Sequence, residues 1–205
     1  MCRGASRSVP CALRSVGVDG GSFGPRWGLR GCPTTYLVAA FFVGLRLDEV
    51  RIATITVDGL DVTSAMQRLL SRRTFDLVLL SGLCYAGFNV VDLDVLRERF
   101  VRPLLAVSAD RPDHVAVLRA LKKHFNDWRA RSRFLSVAGP VRRLSRGSHQ
   151  GPLFFSTSGI PPIAARRVLR SFCVVTGFPE PLRVAKLIAH GLTRRSALLR
   201  HRREV

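Results

Sequence analysis

The order of the apolar runs constrains the fold of this chain more than any other feature. Three runs, residues 13–18, 37–45 and 50–57, are separated by turns near the start of the chain. The third run alternates along its length and is rich in β-branched residues, which favours a strand. The three runs together predict a meander of antiparallel strands.

After this meander the pattern changes to an alternation of helices and strands. Residues 61–70, 92–100 and 112–125 have apolar residues at helical spacing, and the runs 75–80 and 104–108 lie between them. A nearly continuous apolar run such as 75–80 is typical of a strand buried on both faces. The whole order predicts an α/β fold, with a mixed five-stranded sheet and helices on both faces.

The remaining segments complete a single-domain organisation. The 205 residues are enough for one domain with a sizeable core. We predict a basic flexible leader at 1–12, the α/β domain at 13–193 and an Arg-rich tail at 194–205. Within the domain, the pattern favours a mobile basic loop, a late strand and two more helices, at residues 139–151, 152–156, 163–174 and 181–192 respectively.

The charge balance predicts a polyanionic partner. Lys and Arg number 33 against 14 acidic residues, which gives a formal charge of +19. Nearly all of these cations are arginines, whose planar guanidinium donates paired hydrogen bonds to phosphate. We therefore expect nucleic acid as the partner. A general arginine bias without a bound partner is the alternative.

Cysteine usage and the length of the apolar runs indicate a cytoplasmic protein. The five cysteines are scattered and include no CxxC pair, so neither a disulfide nor a zinc site is expected. The apolar run at 37–45 is far shorter than the roughly 20 residues of a membrane-spanning helix. No membrane partner is expected.

Three acidic residues stand at predicted strand ends. Asp19 follows the first strand and precedes a glycine-rich turn, while Asp58 and Asp61 follow the third. Carboxylates that converge at strand ends repel one another unless a cation binds, and hard oxygen ligands suit Mg²⁺ or Mn²⁺. The alternative is structural, because Asp-Gly pairs form turns and Asp61 could cap the next helix.

A second candidate region follows the fourth strand, at residues 82–92. Tyr85 or Phe88 could stack on a base and Asn89 could hydrogen-bond to one, with Arg142 and Arg143 of the basic loop as further nucleic-acid contacts. Alternatively, Phe88 fills the core and Asn89 caps the following helix. Cys84 in the same stretch is a weaker candidate for a nucleophile.

Several of these stretches resemble one family. The motifs GVDGGSF, TVDGLDVT, AGFNVVD, RPDHVAVLRAL and FPEPLRVAKLIA are similar, in the same order, to those of the archaeal domain-of-unknown-function family ninety-nine, also called the endonuclease dU family. The resemblance runs from about Val16 to Leu192. It implies a ribonuclease-H-like fold distantly akin to endonuclease V, and metal-dependent cleavage of DNA at deaminated bases such as uracil.

The resemblance also exposes two departures. The opening motif of the family reads GIDD, whereas here Gly20 follows Asp19. The acid expected after the fourth strand is replaced by Ser81, although Asp58 and Asp61 are intact. By this resemblance, Asp19, Asp58 and Asp61 would be catalytic, Asp19 and Asp58 would bind Mg²⁺ or Mn²⁺, and the nuclease activity would be reduced or absent. The alternative function is a non-catalytic nucleic-acid-binding protein that keeps the nuclease fold.

Overall fold

A computed structural model describes residues 12–24, 33–146 and 150–201, with residues 197–201 described by their backbone alone. The chain begins with the expected meander: β1 (Arg14–Gly20), β2 (Thr34–Val43) and β3 (Arg46–Thr56) pair antiparallel in sequence order. The predicted leader lies almost wholly outside the described residues.

The helices and strands then alternate as the sequence predicts. The elements are α1 (Val62–Leu70), β4 (Leu77–Leu80), a small hairpin of β5 (Cys84–Tyr85) and β6 (Asn89–Val90), α2 (Leu93–Phe100), β7 (Leu104–Ser108), α3 (His114–His124), α4 (Trp128–Ser136), β8 (Arg142–Leu144), β9 (Leu153–Ser158), α5 (Pro162–Phe172) and α6 (Glu180–His201). None of the helices in the described part of the chain has the length and apolarity needed to cross a membrane.

The main sheet has seven strands, in the order β3-β2-β1-β4-β7-β9-β8. β4 lies parallel to both β1 and β7, and β9 returns antiparallel to β7. The mixed α/β class is therefore confirmed, but the predicted count of five strands is too low. The two further strands, β9 and β8, extend the sheet beyond β7; β9 corresponds to the late strand expected at 152–156, whereas β8 was not expected.

Both faces of this sheet are covered, which explains the continuous apolar runs. In β4, Val78 and Leu80 pack with α1 and α2, while Leu77 and Leu79 pack with α5 and the start of α6. Successive side chains of a strand point to opposite faces, so a strand between two helical layers needs apolar residues throughout.

The segment 139–151 corrects the expectation of a mobile loop. Arg142–Leu144 forms β8 and pairs with β9, and Leu144 is fully buried against the core. A three-residue edge strand with two arginines has too little hydrophobic alternation to be detected from sequence. Residues 147–149 of the same segment lie outside the described part.

Candidate active site

The candidate site is built where the parallel strands β1 and β4 end. Val18 pairs with Leu80, so the next residues, Asp19 and Ser81, lie level with each other. The Ser81 hydroxyl donates to Oδ1 of Asp19 at 2.7 Å, and the backbone N–H of Gly20 donates to the same oxygen at 2.7 Å. The two positions that the sequence singled out at these strand ends are therefore in direct contact.

The carboxyl group of Asp19 has an altered acidity. Burial raises its pKa to about 6, against the opposing effects of the Ser81 and Gly20 hydrogen bonds and of the charge on Lys186. Burial disfavours the charged form because it removes water from the carboxylate. Asp19 therefore titrates close to neutral pH, which is typical of groups that take part in chemistry.

Asp19 and Ser81 lie between two open cavities. One, of about 470 Å³, is lined by the glycine-rich turn after β1, by Tyr85 and by His190. The other, of about 430 Å³, is lined by Ser108 at the end of β7, by Asp110 just after it, and by Arg183, Lys186 and His190 of α6. A ligand in either cavity would reach the Asp19 carboxyl and at least one nitrogen base or cation of α6.

A third cavity of about 260 Å³ adjoins these two and is mostly apolar. It shares Cys84 with the first cavity, and Val107, Ser108 and Asp110 with the second. Its walls include Leu83, Val117, Leu135 and Phe155, with His114 and Ser156 among the few polar groups. Apolar walls with a few polar groups are typical of sites that bind small organic groups.

Asp58 lies in a turn where it holds the neighbouring hairpin. Its backbone has a positive φ of 56°. Its N–H donates to the carbonyl of Ala86 at 2.8 Å, and its Oδ1 accepts from the N–H of Phe88 at 2.8 Å. Asp58 therefore fixes the turn between β5 and β6, and it makes no contact with Asp19 among the described interactions.

Asp61 is likewise engaged in structural hydrogen bonds. Its carboxylate accepts from the N–H and the hydroxyl of Thr56 and from the Asn89 amide at 2.6 Å. Burial acts to raise the pKa of Asp61, but the hydrogen bonds from Asn89 and Thr56 together lower it. Asp61 is the N-cap residue of α1 but makes no side-chain cap, because its oxygens face Thr56 and Asn89.

Asn89 is fully buried and holds three elements together. Its Nδ2 donates to the carbonyl of Thr56 and to Asp61, and its Oδ1 accepts from the N–H of Val62. It thus caps α1 and not the following helix, whose cap is Asp92. Because both donors and the acceptor are engaged, the Asn89 side chain is not presented to a base as the sequence suggested.

The two aromatic candidates differ in accessibility. Tyr85 is buried, lines the 470 Å³ cavity, and has its pKa raised by burial. Phe88 is half-buried and packs edge-on against Phe125, with ring centroids 5.4 Å apart. Tyr85 is thus next to the Asp19 cavity, whereas Phe88 packs towards α4.

The remaining candidates are spread over other parts of the fold. Arg142 and Arg143 lie on the edge strand β8, and the Arg142 guanidinium donates to the carbonyl of Pro140. Cys84 lines the first and third cavities, and burial raises its pKa to about 11. A thiol with so high a pKa is a poor nucleophile at neutral pH, which disfavours the nucleophile hypothesis.

The donors at the site do not fit a divalent ion held by the protein alone. Of the two residues in contact at the strand ends, only Asp19 has a carboxylate, and its Oδ1 already accepts hydrogen bonds from Ser81 and Gly20. No group of three or more His, Cys, Asp or Glu side chains that could hold a metal occurs in the described ranges. Ser81 contributes only a neutral hydroxyl beside Asp19, Asp110 adds a carboxylate to the same cavity, and Lys186 adds positive charge. A divalent ion would therefore need further oxygen ligands from bound nucleic acid.

Several site residues were not predicted from the sequence. Ser108, Asp110, Lys186 and His190 come from the end of β7 and from α6, far from Asp19 in sequence. Ser22 and His190 also contact each other at 3.3 Å. The available signal was that Asp110 follows a parallel strand next to β4, since such strands end at the same edge.

Comparison with known proteins identifies the family of this chain. The model of the Endonuclease dU family matches residues 12–193. The chain belongs to the Endonuclease dU family. A UPF0215 protein of Methanothermobacter thermautotrophicus is 37% identical over 192 residues, covering 91% of each chain. A second UPF0215 protein, from Thermococcus gammatolerans, is 37% identical over 187 residues, covering 89% of this chain and 93% of its own.

Solved structures are similar to this Endonuclease dU family member along nearly its whole length. A protein of unknown function from Archaeoglobus fulgidus has a TM-score of 0.75 at 24% identity, covering 88% of this chain and 98% of its own. Ciona intestinalis endonuclease V, solved with a DNA that contains inosine, has a TM-score of 0.56 at 12% identity and coverages of 89% and 87%. Human ENDOV has a TM-score of 0.54 at 16% identity and coverages of 91% and 86%. These confirm the endonuclease V-like fold, and family membership makes the chain a nuclease-like protein.

Proposed function

We propose that this chain acts in the cytoplasm on DNA containing deaminated bases, uracil in particular, and that its cleavage activity is weak. The observation that carries the proposal is the contact between Asp19 and Ser81 at the ends of β1 and β4. The family and the endonuclease V-like fold support action on nucleic acid. The neutral hydroxyl of Ser81 supports the loss of catalytic power, because it cannot offset the charge of a metal ion.

The apolar cavity beside the site supports the preference for a damaged base. An enzyme that acts at a base in duplex DNA must extrude that base into a pocket, and extrusion is easiest where pairing is already weakened. The third cavity adjoins the Asp19 cavities through Cys84, Ser108 and Asp110. An extruded base there would leave its phosphodiester close to Asp19.

Cleavage and binding of defined oligonucleotides test this function. The full-length protein is incubated with uracil-containing, hypoxanthine-containing or undamaged duplexes, with Mg²⁺, Mn²⁺ or EDTA. We expect tighter binding of the deaminated duplexes and slow cleavage that needs a divalent ion. Ser81→Asp should increase the cleavage rate in Mn²⁺, and Asp19→Asn should abolish cleavage while binding persists. Equal cleavage by Asp19→Asn and wild type, or no preference for deaminated DNA, would refute the proposal.

The second candidate is a non-catalytic DNA-binding protein with the same fold, and Ser81 is the observation that favours it. That function predicts deaminated-base binding that is unchanged by EDTA, with no cleavage by wild type under any condition tested. If Ser81→Asp then restored cleavage, the loss of activity in this chain would be assigned to position 81.

A further inference from the structure

The outer face of α3 and α4 carries a cluster of basic residues. We define the α3–α4 basic surface by its five exposed cations: Arg119, Lys122, Lys123, Arg129 and Arg133. Of the two acids beside it, Asp113 caps the start of α3 and Asp127 pairs with the buried Arg131. No ion pair among the described residues neutralises any of the five cations, so this surface has a net positive charge.

Two of these cations converge on one aromatic ring. The Lys122 ammonium lies 4.9 Å from the centroid of the Trp128 ring, and the Arg129 guanidinium lies 4.6 Å from the same centroid. Each contact is favourable by itself as a cation–π interaction. Both cations lie close to the same ring centroid, so they concentrate positive charge around Trp128, and a bound anion would interact favourably with both.

The helix dipoles favour the position of only one of these two cations, Lys122. Lys122 lies in the last turn of α3, where a cation is stabilised by the negative end of the helix. Arg129 lies in the first turn of α4, where the positive end of the helix disfavours a cation. The helix end therefore disfavours the charge of Arg129, and the same helix end would favour a phosphate.

The basic surface is connected to the candidate site through the same two helices. His114 at the start of α3 and Leu135 near the end of α4 both line the apolar cavity. Lys122 is two helical turns further along α3, a distance of roughly 12 Å for an α-helix. A DNA strand with one nucleotide at the cavity would reach Lys122 and Arg129 a few nucleotides away.

We infer that Lys122 and Arg129, held by Trp128, form a phosphate clamp for the DNA backbone that flanks the reaction site. This inference rests on the proposed function, because it uses the same DNA and the same cavity. Trp128 acts as a positioning residue that brings the two cations together. Lys123 and Arg133 extend the positive field on either side of the clamp.

The test measures how DNA binding depends on salt. A fluorescein-labelled undamaged duplex is titrated with full-length protein in EDTA at several salt concentrations. The double variant Lys122→Gln/Arg129→Gln should lower the slope of log affinity against log salt by roughly two, because each lost phosphate contact removes about 0.9. Its affinity at low salt should fall by about tenfold or more.

A matched control removes the same charge from the opposite face of the sheet. Arg167 and Arg170 are exposed on α5, which packs on the other side of the sheet from α1 and α2. Arg167→Gln/Arg170→Gln should leave the slope close to that of wild type. An equal loss of slope in both double variants, or an unchanged slope in Lys122→Gln/Arg129→Gln, would overturn the clamp.

Tryptophan fluorescence gives an independent readout. The chain has two tryptophans, so Trp27→Phe leaves Trp128 as the single reporter. Its emission should change on addition of DNA, and the change should disappear in the Lys122→Gln/Arg129→Gln background. Emission that does not respond to DNA under conditions of full binding contradicts the clamp.

Trp128→Leu separates positioning from folding. This variant should lower the salt slope while Lys122 and Arg129 are still present, with the melting temperature measured in parallel. An unchanged slope in folded Trp128→Leu would refute the positioning role. If the wild-type protein does not cleave deaminated DNA but Lys122→Gln/Arg129→Gln still lowers the salt slope, the proposed function is refuted and the clamp is supported.

If Lys122→Gln/Arg129→Gln cleaves normally and has the wild-type salt slope, the clamp is refuted and the proposed function is unaffected.

Discussion

The Ser81 hydroxyl donates a 2.7 Å hydrogen bond to the Asp19 carboxylate across two parallel strands. Replacing Ser81 with Asp would place a second carboxylate against Asp19. We expect Ser81→Asp to lower the free energy of unfolding in EDTA by about 1–3 kcal/mol, because an unpaired charge is added at a half-buried position. Thermal melts should show recovery with Mn²⁺, whereas Ser81→Ala should show no response to Mn²⁺. Identical responses of the two variants would contradict this prediction.

Asp19→Asn should stabilise the protein at neutral pH. Because burial raises the pKa of Asp19 from 3.8 to about 6, the folded state favours the protonated carboxyl. The stability that this provides is complete below pH 4 and is lost as the pH rises through about 6. Asn cannot ionise, so the variant should gain about 2 kcal/mol at pH 7.5, after allowance for solvent screening, and almost nothing at pH 4. Urea unfolding at both pH values measures this, and a loss of stability at pH 7.5 would contradict it.

Asp61→Ala should lower the free energy of unfolding. The variant removes the acceptor for Thr56 and for the buried Asn89, and a buried donor left without a partner costs about 1–3 kcal/mol. Because the pKa of Asp61 is lowered, its contribution exists at neutral pH and is lost as the pH falls through that lowered value. Chemical denaturation compares it with Glu98→Ala, which changes an exposed acid on α2. A stability equal to that of Glu98→Ala, with cleavage abolished, would instead assign Asp61 to catalysis.

Arg131 is a charged residue on which packing depends. The residue is 5% exposed, and its guanidinium donates to the carbonyls of Gly59 and Phe88 and to the Asp127 carboxylate. Arg131→Met leaves these acceptors unpaired and should cost about 3 kcal/mol of unfolding free energy. Arg133→Met changes an exposed arginine of the same helix and should cost less than about 0.5 kcal/mol. Equal melting temperatures of the two variants would show that Arg131 is not structural.

Two glycines should respond to alanine in opposite directions. A Cβ at Gly17 would come within 2.2 Å of the Pro181 backbone, where α6 crosses β1. Gly17→Ala should therefore destabilise the protein by about 2 kcal/mol or more, through forced separation of the two backbones. Gly191 lies within α6 with nothing near its Cβ position, and Gly191→Ala should add up to about 1 kcal/mol. Differential scanning calorimetry of the pair checks both signs.

Two of the elements that the sequence missed, α4 and β8, are held largely by groups that are not apolar. α4 was overlooked because the buried residue on its inner face is Arg131, which interrupts the hydrophobic pattern. β8 was overlooked because two of its three residues are arginines at a sheet edge. Periodicity detects a helix or strand by its apolar side chains, so elements held by hydrogen bonds and charge escape it.

The sequence by itself determined the α/β class and the family, and it directed attention to positions 19 and 81. Strands buried on both faces need unbroken apolar runs, and the order of those runs limits the sheet to few topologies. Only the tertiary structure decided which acids share a site. Asp58 and Asp61 bind the hairpin and Thr56, while Asp110, Lys186 and His190 join Asp19 from β7 and α6. Which side chains meet at a site depends on how elements distant in sequence pack against each other. The spacing of residues along the chain does not reveal that packing.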